Sequence, residues 1–142
     1  MRRLVLALGL IAITPSALAA QRDARADDFL GLTRCEKGVA VTAVRPDVSD
    51  ARLLEEIHAH EAVHRRQAAE HPSCEAFLAS ITTARGIIDV ELPAYCAQWR
   101  VAVAHGADSA VTRREYAWRI AAQSGAMENR LGVAQRFERE CP

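Results

Sequence analysis

Residues 51–70 read ARLLEEIHAHEAVHRRQAAE, and whether they form one helix decides how the rest of the chain is arranged. The stretch contains no glycine or proline and is rich in Ala, Leu, Glu and Arg, so it predicts a helix from about Ala51 to Glu70. Pro46-Asp47-Val48-Ser49-Asp50 supplies turn chemistry just before it, with Ser49 or Asp50 able to accept from the first free amides. Leu53, Ile57, His60 with Glu61, and His64 recur at steps of three and four. The histidines therefore share the face that Leu53 and Ile57 turn toward the core. His58 points about 200° away from His60 on such a helix and reads as a surface residue.

Working outward, Gly38 to Val44 is a run of small and β-branched residues bounded by Gly38 and Arg45-Pro46, and it predicts one short strand. The polar, mixed segment from Gln21 to Lys37 offers only a short helical turn around Asp28-Phe29-Leu30. On the other side, Pro72 stops the first helix and Ser73 can cap a second from about Cys74 to Arg85. After Gly86 a third helical segment runs from Ile87 to about His105, closed by Gly106. Thr112-Arg113-Arg114-Glu115 has the form of a capping box opening a last helix or helix pair, which Gly125 can break. Trp99, Trp118 and Phe137 fall on apolar helical faces and read as core; Tyr95 and Tyr116 read as core or rim. Arg65-Arg66 and Arg113-Arg114 read as solvated faces. The expected fold is mainly α, a small helical domain with one short strand or minor sheet.

The chain of 142 residues begins Met1-Arg2-Arg3, continues with an apolar run from Leu4 to Ile13 and reaches Ala17-Leu18-Ala19. A basic start, an apolar core too short for a span and small residues at the cleavage positions predict a signal peptide over residues 1–20. The remaining residues 21–142 suffice for one domain. Losing Arg2 and Arg3 turns the balance of 18 basic and 18 acidic residues into a net charge of about −2. That leaves no basic excess for phosphate neutralisation, so no nucleic-acid partner is expected, and no stable membrane span remains after cleavage. Four cysteines, Cys35, Cys74, Cys96 and Cys141, lie in the exported part without a Cys-x-x-Cys pair. In an oxidising compartment, periplasmic or extracellular, they predict two disulfides, with three pairings open.

His60-Glu61-Ala62-Val63-His64 is His-Glu-x-x-His on a predicted helix. Two imidazoles one turn apart can converge on one zinc ion, and Glu61 lies where it can take a proton from water. A third protein ligand is needed. His71 does not fit the metzincin spacing: Gln67 stands where that pattern needs glycine and Glu70 where it needs histidine. His105, before Gly106, suits a helix C-terminus or, less simply, an oxyanion donor.

The motif followed by Glu91-Leu92-Pro93-Ala94 resembles the gluzincins, zinc peptidases whose His-Glu-x-x-His helix precedes a helix bearing a glutamate in a Glu-x-x-Ala or Glu-x-x-Asp context. The form ending at Gln67, with a strand before the motif helix, also resembles small bacterial metallopeptidases of that clan. The resemblance covers roughly residues 38–100 and implies that His60, His64 and Glu91 hold zinc, with Asp89 the runner-up for the third place. Pro93 departs from a regular ligand helix unless Asp89 caps it, which would put the proline in the first turn. On this reading a Cys74–Cys96 bridge would tie the motif helix to the helix of Glu91, leaving Cys35 with Cys141.

The expected function is that of an exported zinc peptidase acting on peptide or protein substrates, with Glu61 as general base and the strand at Val39–Val44 as an edge that aligns an extended peptide. The alternative is a non-catalytic, disulfide-stapled helical envelope protein with a structural metal or none, which the small size of the chain favours.

Overall fold

Four of the five described α-helices begin at a residue whose side chain accepts from the first turn. The computed structural model describes residues 30–142. The leader expected over 1–20 and the turn expected at Asp28-Phe29 lie outside the described residues, and Leu30 is a bend. The fold is mainly α with a two-stranded sheet, and among the described residues no helix is long and apolar enough to cross a membrane.

The chain first makes a hairpin of β1 (Gly31–Glu36) and β2 (Val39–Val44), antiparallel, with Gly31 opposite Val44 and Glu36 opposite Val39. Lys37 and Gly38 form the turn with φ of 52° and 82°. Two successive positive φ values give the hairpin turn whose twist matches that of the flanking strands. Only β2 was expected. β1, GLTRCE, has a single large aliphatic residue, and a lysine in the first turn position is a weak hairpin signal.

α1 (Ala51–Ala69) follows, its N-terminus capped by the Asp50 side chain, which accepts from Leu53 N at 2.9 Å. Its inner face carries Ile57, His60, Glu61, Val63, His64 and Ala68, all buried. α2 (Cys74–Ser80) is capped by Ser73 as expected but ends well short of Arg85, because Thr83 caps the next helix by accepting from Gly86 N at 3.0 Å. α3 therefore spans Ala84–Ala104. Gly86 sits in its first turn, where a missing side chain costs little, and Pro93 lies in its interior rather than near an Asp89 cap. Pro93 leaves the Asp89 carbonyl without a helical donor, but the residue is exposed and water can serve that oxygen.

α4 (Ser109–Gln123) is capped by Asp108, whose side chain accepts from Val111 N at 2.8 Å. Thr112 to Glu115 thus lies inside the helix rather than forming its capping box. Gly125, at φ 71°, ends this segment, and a short 3-10 turn leads into α5 (Arg130–Glu140). Trp99 and Phe137 are buried as expected, whereas Trp118 is 46% exposed. The buried stripe of α4 is Tyr116, Ala117, Ile120 and Ala121, and Trp118 falls on its outer flank. Two of the arginines expected to be solvated are engaged: Arg65 donates to Thr42 of β2, and Arg113 lies over the Trp99 ring at 4.5 Å.

α1 packs on α3, α3 on α4 and α4 on α5, while the hairpin lies on α1. The core cluster lies between α3, α4 and α5 around Leu92, Trp99, Ile120 and Phe137. Two disulfides close the structure, Cys35–Cys74 and Cys96–Cys141. This overturns the nested pairing of Cys74 with Cys96 and Cys35 with Cys141. The unforeseen strand β1 carries Cys35 to the start of α2, where Cys74 N also donates to Gly38 O, and α5 returns its end to α3 beside Cys96.

Candidate metal centre

His60 and His64 are one turn apart on the inner face of α1, 9% and 7% exposed, and their Nε2 atoms stand 3.0 Å apart. Glu91 reaches them from α3: its Oε2 is 3.3 Å from His60 Nε2 and its Oε1 3.7 Å from His64 Nε2. A tetrahedral zinc with bonds of about 2.0–2.1 Å separates its ligand atoms by roughly 3.3 Å; with one ligand atom from each residue, His60, His64 and Glu91 group within 4.8 Å of one another, so small side-chain rotations would bring them to a shared ion. The interior proline does not keep Glu91 from the histidines, because α3 remains helical through Pro93 and lies against α1.

Gln67, one turn beyond His64, fixes the chemistry of that ring. Its Nε2 donates to Val90 O at 3.0 Å, so its Oε1 is the atom facing His64 Nδ1 at 2.9 Å. An amide oxygen can only accept, so the network assigns a proton to His64 Nδ1, and in the neutral ring the Nε2 lone pair is then directed at His60 and Glu91. An imidazole held in this way by its other nitrogen is the arrangement metal sites use. Burial works against the Glu91 charge, but the hydrogen bonds and charges of His60 and His64 outweigh it and hold the carboxyl down at about 2. Burial likewise opposes a charge on His64, and the Glu91 carboxylate, followed by Gln67 and Glu61, raises its proton affinity nonetheless. A half-buried carboxylate kept ionised beside two ring nitrogens favours a cation. His60 Nδ1 is buried without a hydrogen-bond partner among the described residues.

Glu61 is 4% exposed and is held from β1: Thr33 Oγ1 donates to its Oε2 at 2.7 Å. Gly31 passes so close that a Cβ there would stand 2.3 Å from Ile57 Cγ2 and 3.2 Å from Glu61 Oε1. β1 can press onto α1 at this point because residue 31 has no side chain.

These residues border a cavity of about 430 Å³ lined by Leu30 to Thr33, by Ile57, His60, Glu61 and His64 of α1, by the α2 side, by Val90 and Glu91, and further along by Tyr95, Gln98, Arg119 and Gln123. Leu30 and the first three residues of β1 line it, as the edge of a strand does, so the cavity meets β1 rather than the expected edge at Val39–Val44. Arg45 N donates to Leu30 O at 2.9 Å, which in this register turns Leu32 and Arg34 toward β2 and points the N–H and C=O groups of Gly31 and Thr33 to the outer edge.

Tyr95 stands one turn after Glu91 on α3, its ring 4.5 Å from that of His60 and edge-on to it. Its hydroxyl accepts from Gln123 Nε2 at 3.2 Å, leaving its own proton available to a ligand. Burial first, and the charge of Glu91 second, push this phenol above its usual range, so it stays protonated.

The remaining sequence candidates lie elsewhere. Asp89, the alternative ligand, pairs with Arg136 and, at 3.7 Å, with Arg85, so it does not converge with the histidines. His71 Nδ1 bonds Gln67 O at 3.0 Å and its ring meets Phe77. His58 is exposed. His105 caps the end of α3 and pairs with Glu55 at 2.8 Å, away from the cavity lining. Tyr116 packs against Tyr95 and donates to Glu56 at 3.0 Å. Sequence reasoning missed Gly31, Thr33, Arg119 and Gln123, since no local pattern links them to the motif helix.

No family model, curated protein or solved structure matches this chain.

Proposed function

We propose that this chain is an exported zinc-dependent peptidase of small gluzincin type, in which His60, His64 and Glu91 hold the ion and Glu61 is the general base. The observation that carries the reading is the convergence of two imidazole nitrogens and a carboxylate within 4.8 Å of one another, with the His64 ring oriented by Gln67. A purely structural zinc closes its shell with four protein ligands, whereas here the grouped side chains number three among the described residues and border a cavity. That openness favours catalysis over a structural ion. The two disulfides support an oxidising compartment, in keeping with export.

Held by His60, His64 and Glu91, a zinc ion would supply Lewis acidity toward water and a substrate carbonyl. Glu61 takes the proton of the attacking water and delivers it to the amide nitrogen as the C–N bond breaks, giving a free carboxylate and a free amine. Thr33 keeps one Glu61 oxygen occupied and so leaves the other to handle the proton. The Tyr95 hydroxyl donates to the carbonyl oxygen as it gains negative charge, a contact worth more in the transition state than in the bound substrate. The outer edge of β1 aligns an extended peptide through the N–H and C=O groups of Gly31 and Thr33.

The test is hydrolysis of a mixed peptide library by zinc-loaded protein and by Glu61→Gln. Cleavage by the native chain, lost in a Glu61→Gln variant that retains zinc, is the expected result. Undiminished cleavage by the variant contradicts the role of Glu61, and zinc retention without any cleavage contradicts the peptidase reading.

A further inference from the structure

The cavity is chemically divided along α3. Glu91 lies near the middle. At the N-terminal end, Val90, Leu78 and Ile81, together with Leu30 of the segment entering β1, line the wall, and Phe77 lies beneath, 2% exposed. Toward the C-terminal end, one and two turns on, Tyr95 and Gln98 meet Arg119 and Gln123 of α4.

Leu30, Leu78, Ile81 and Val90 are only partly buried. Large aliphatic side chains left half in water, next to the metal-binding trio, gain by covering. The acidic residues of the lining are Glu61, held by Thr33, and Glu91, engaged with His60 and His64; its one arginine, Arg119, lies at the opposite end and is paired with Glu115 at 2.6 Å. A charged side chain seated against α2 would therefore be desolvated with no countercharge. The Cys35–Cys74 bridge joins β1 to the first residue of α2, so the edge that would align the backbone and the wall that would receive a side chain are covalently tied.

Building on the peptidase reading, we infer that Leu30, Leu78, Ile81 and Val90 form a specificity subsite that selects peptides with a large aliphatic or aromatic side chain next to the scissile bond. The polar end beyond Glu91 accepts the chain on the other side of that bond without demanding an apolar residue. A hydrophobic subsite of this kind discriminates by about tenfold or more for each added methylene or two.

The experiment is calorimetric binding of end-blocked Ala-Ala-Xaa-Ala-Ala peptides, with Xaa Leu, Phe, Ala, Asp or Lys, to the zinc-loaded Glu61→Gln protein, alongside hydrolysis of the same series by the native chain. The Leu and Phe peptides are expected to bind at least about tenfold tighter than the Ala peptide and tighter still than Asp or Lys. Leu78→Asp and Ile81→Asp, at partly exposed positions, should erase that preference and favour the Lys peptide. Leu78→Ala provides a milder loss should either aspartate variant melt early. Equal affinities across the series, no binding of any peptide, or a preference that survives both aspartate variants overturns the subsite. The two readings part cleanly: preferential binding without cleavage leaves the subsite and removes the peptidase, and cleavage without preference does the reverse.

Discussion

At the scale of single residues, Gln67 and Tyr95 shape the site as much as the motif itself does. Gln67→Leu keeps the volume but removes both hydrogen bonds, so His64 is free to rotate and change tautomer; zinc affinity is expected to fall about 10- to 100-fold, read by competition with a chelating dye. An unchanged affinity would mean that Gln67 plays no part in presenting His64. Tyr95→Phe removes only the hydroxyl, and the prediction is a fall in kcat of roughly 10- to 1000-fold with KM and zinc content little altered. A rise in KM alone would place the hydroxyl in ground-state binding instead. The motif residues were legible because a four-residue step on a predicted helix fixes which atoms converge. Tyr95 and Gln123 were not, because their meeting depends on how α4 crosses α3, which no local spacing records.

At the scale of elements, β1 carries the most weight relative to how little its sequence announces. It supplies the Thr33 contact to Glu61, the close approach at Gly31 and the free edge beside the cavity. Gly31→Ala would put a methyl group 2.3 Å from Ile57 Cγ2. Relief requires the hairpin to lift from α1, with an expected loss of about 1–3 kcal/mol in chemical denaturation and a larger loss of activity than of stability, since Glu61 loses its fixed neighbour. A fully stable and fully active variant would show that the strand does not position Glu61. The helices were read well where caps are local: Ser73 and the breaks at Pro72 and Gly125 all appear as expected. α3 and α4 start earlier than Ile87 and Thr112 suggested because Thr83 and Asp108 cap them from upstream. β1 escaped notice because it alternates short, charged and small residues and becomes a strand only by pairing with β2.

At the scale of the whole molecule, two bridges constrain two different parts of the fold. Cys35–Cys74 ties the hairpin to α2 at the cavity, and Cys96–Cys141 ties α5 to the core helix α3. Each closes a loop of several tens of residues, for which chain entropy gives about 4 kcal/mol of stabilisation. Replacing Cys96 and Cys141 together by Ser should lower the denaturation midpoint while leaving zinc affinity near normal, because neither cysteine lines the cavity. The Cys35/Cys74 double replacement should instead cost activity out of proportion to stability, as both walls of the cavity lose their link. The sequence predicts two bridges but not their partners, since pairing follows from where β1 and α5 lie in space.

The central claim is that His60, His64 and Glu91 bind a metal ion, and metal analysis of protein purified without added zinc tests it most directly. The account predicts about one zinc per chain, lost in His60→Ala and in His64→Ala and strongly weakened in Glu91→Ala, with each variant still folded by circular dichroism. A native chain without tightly bound metal, or zinc retained at full stoichiometry in His64→Ala, would contradict it.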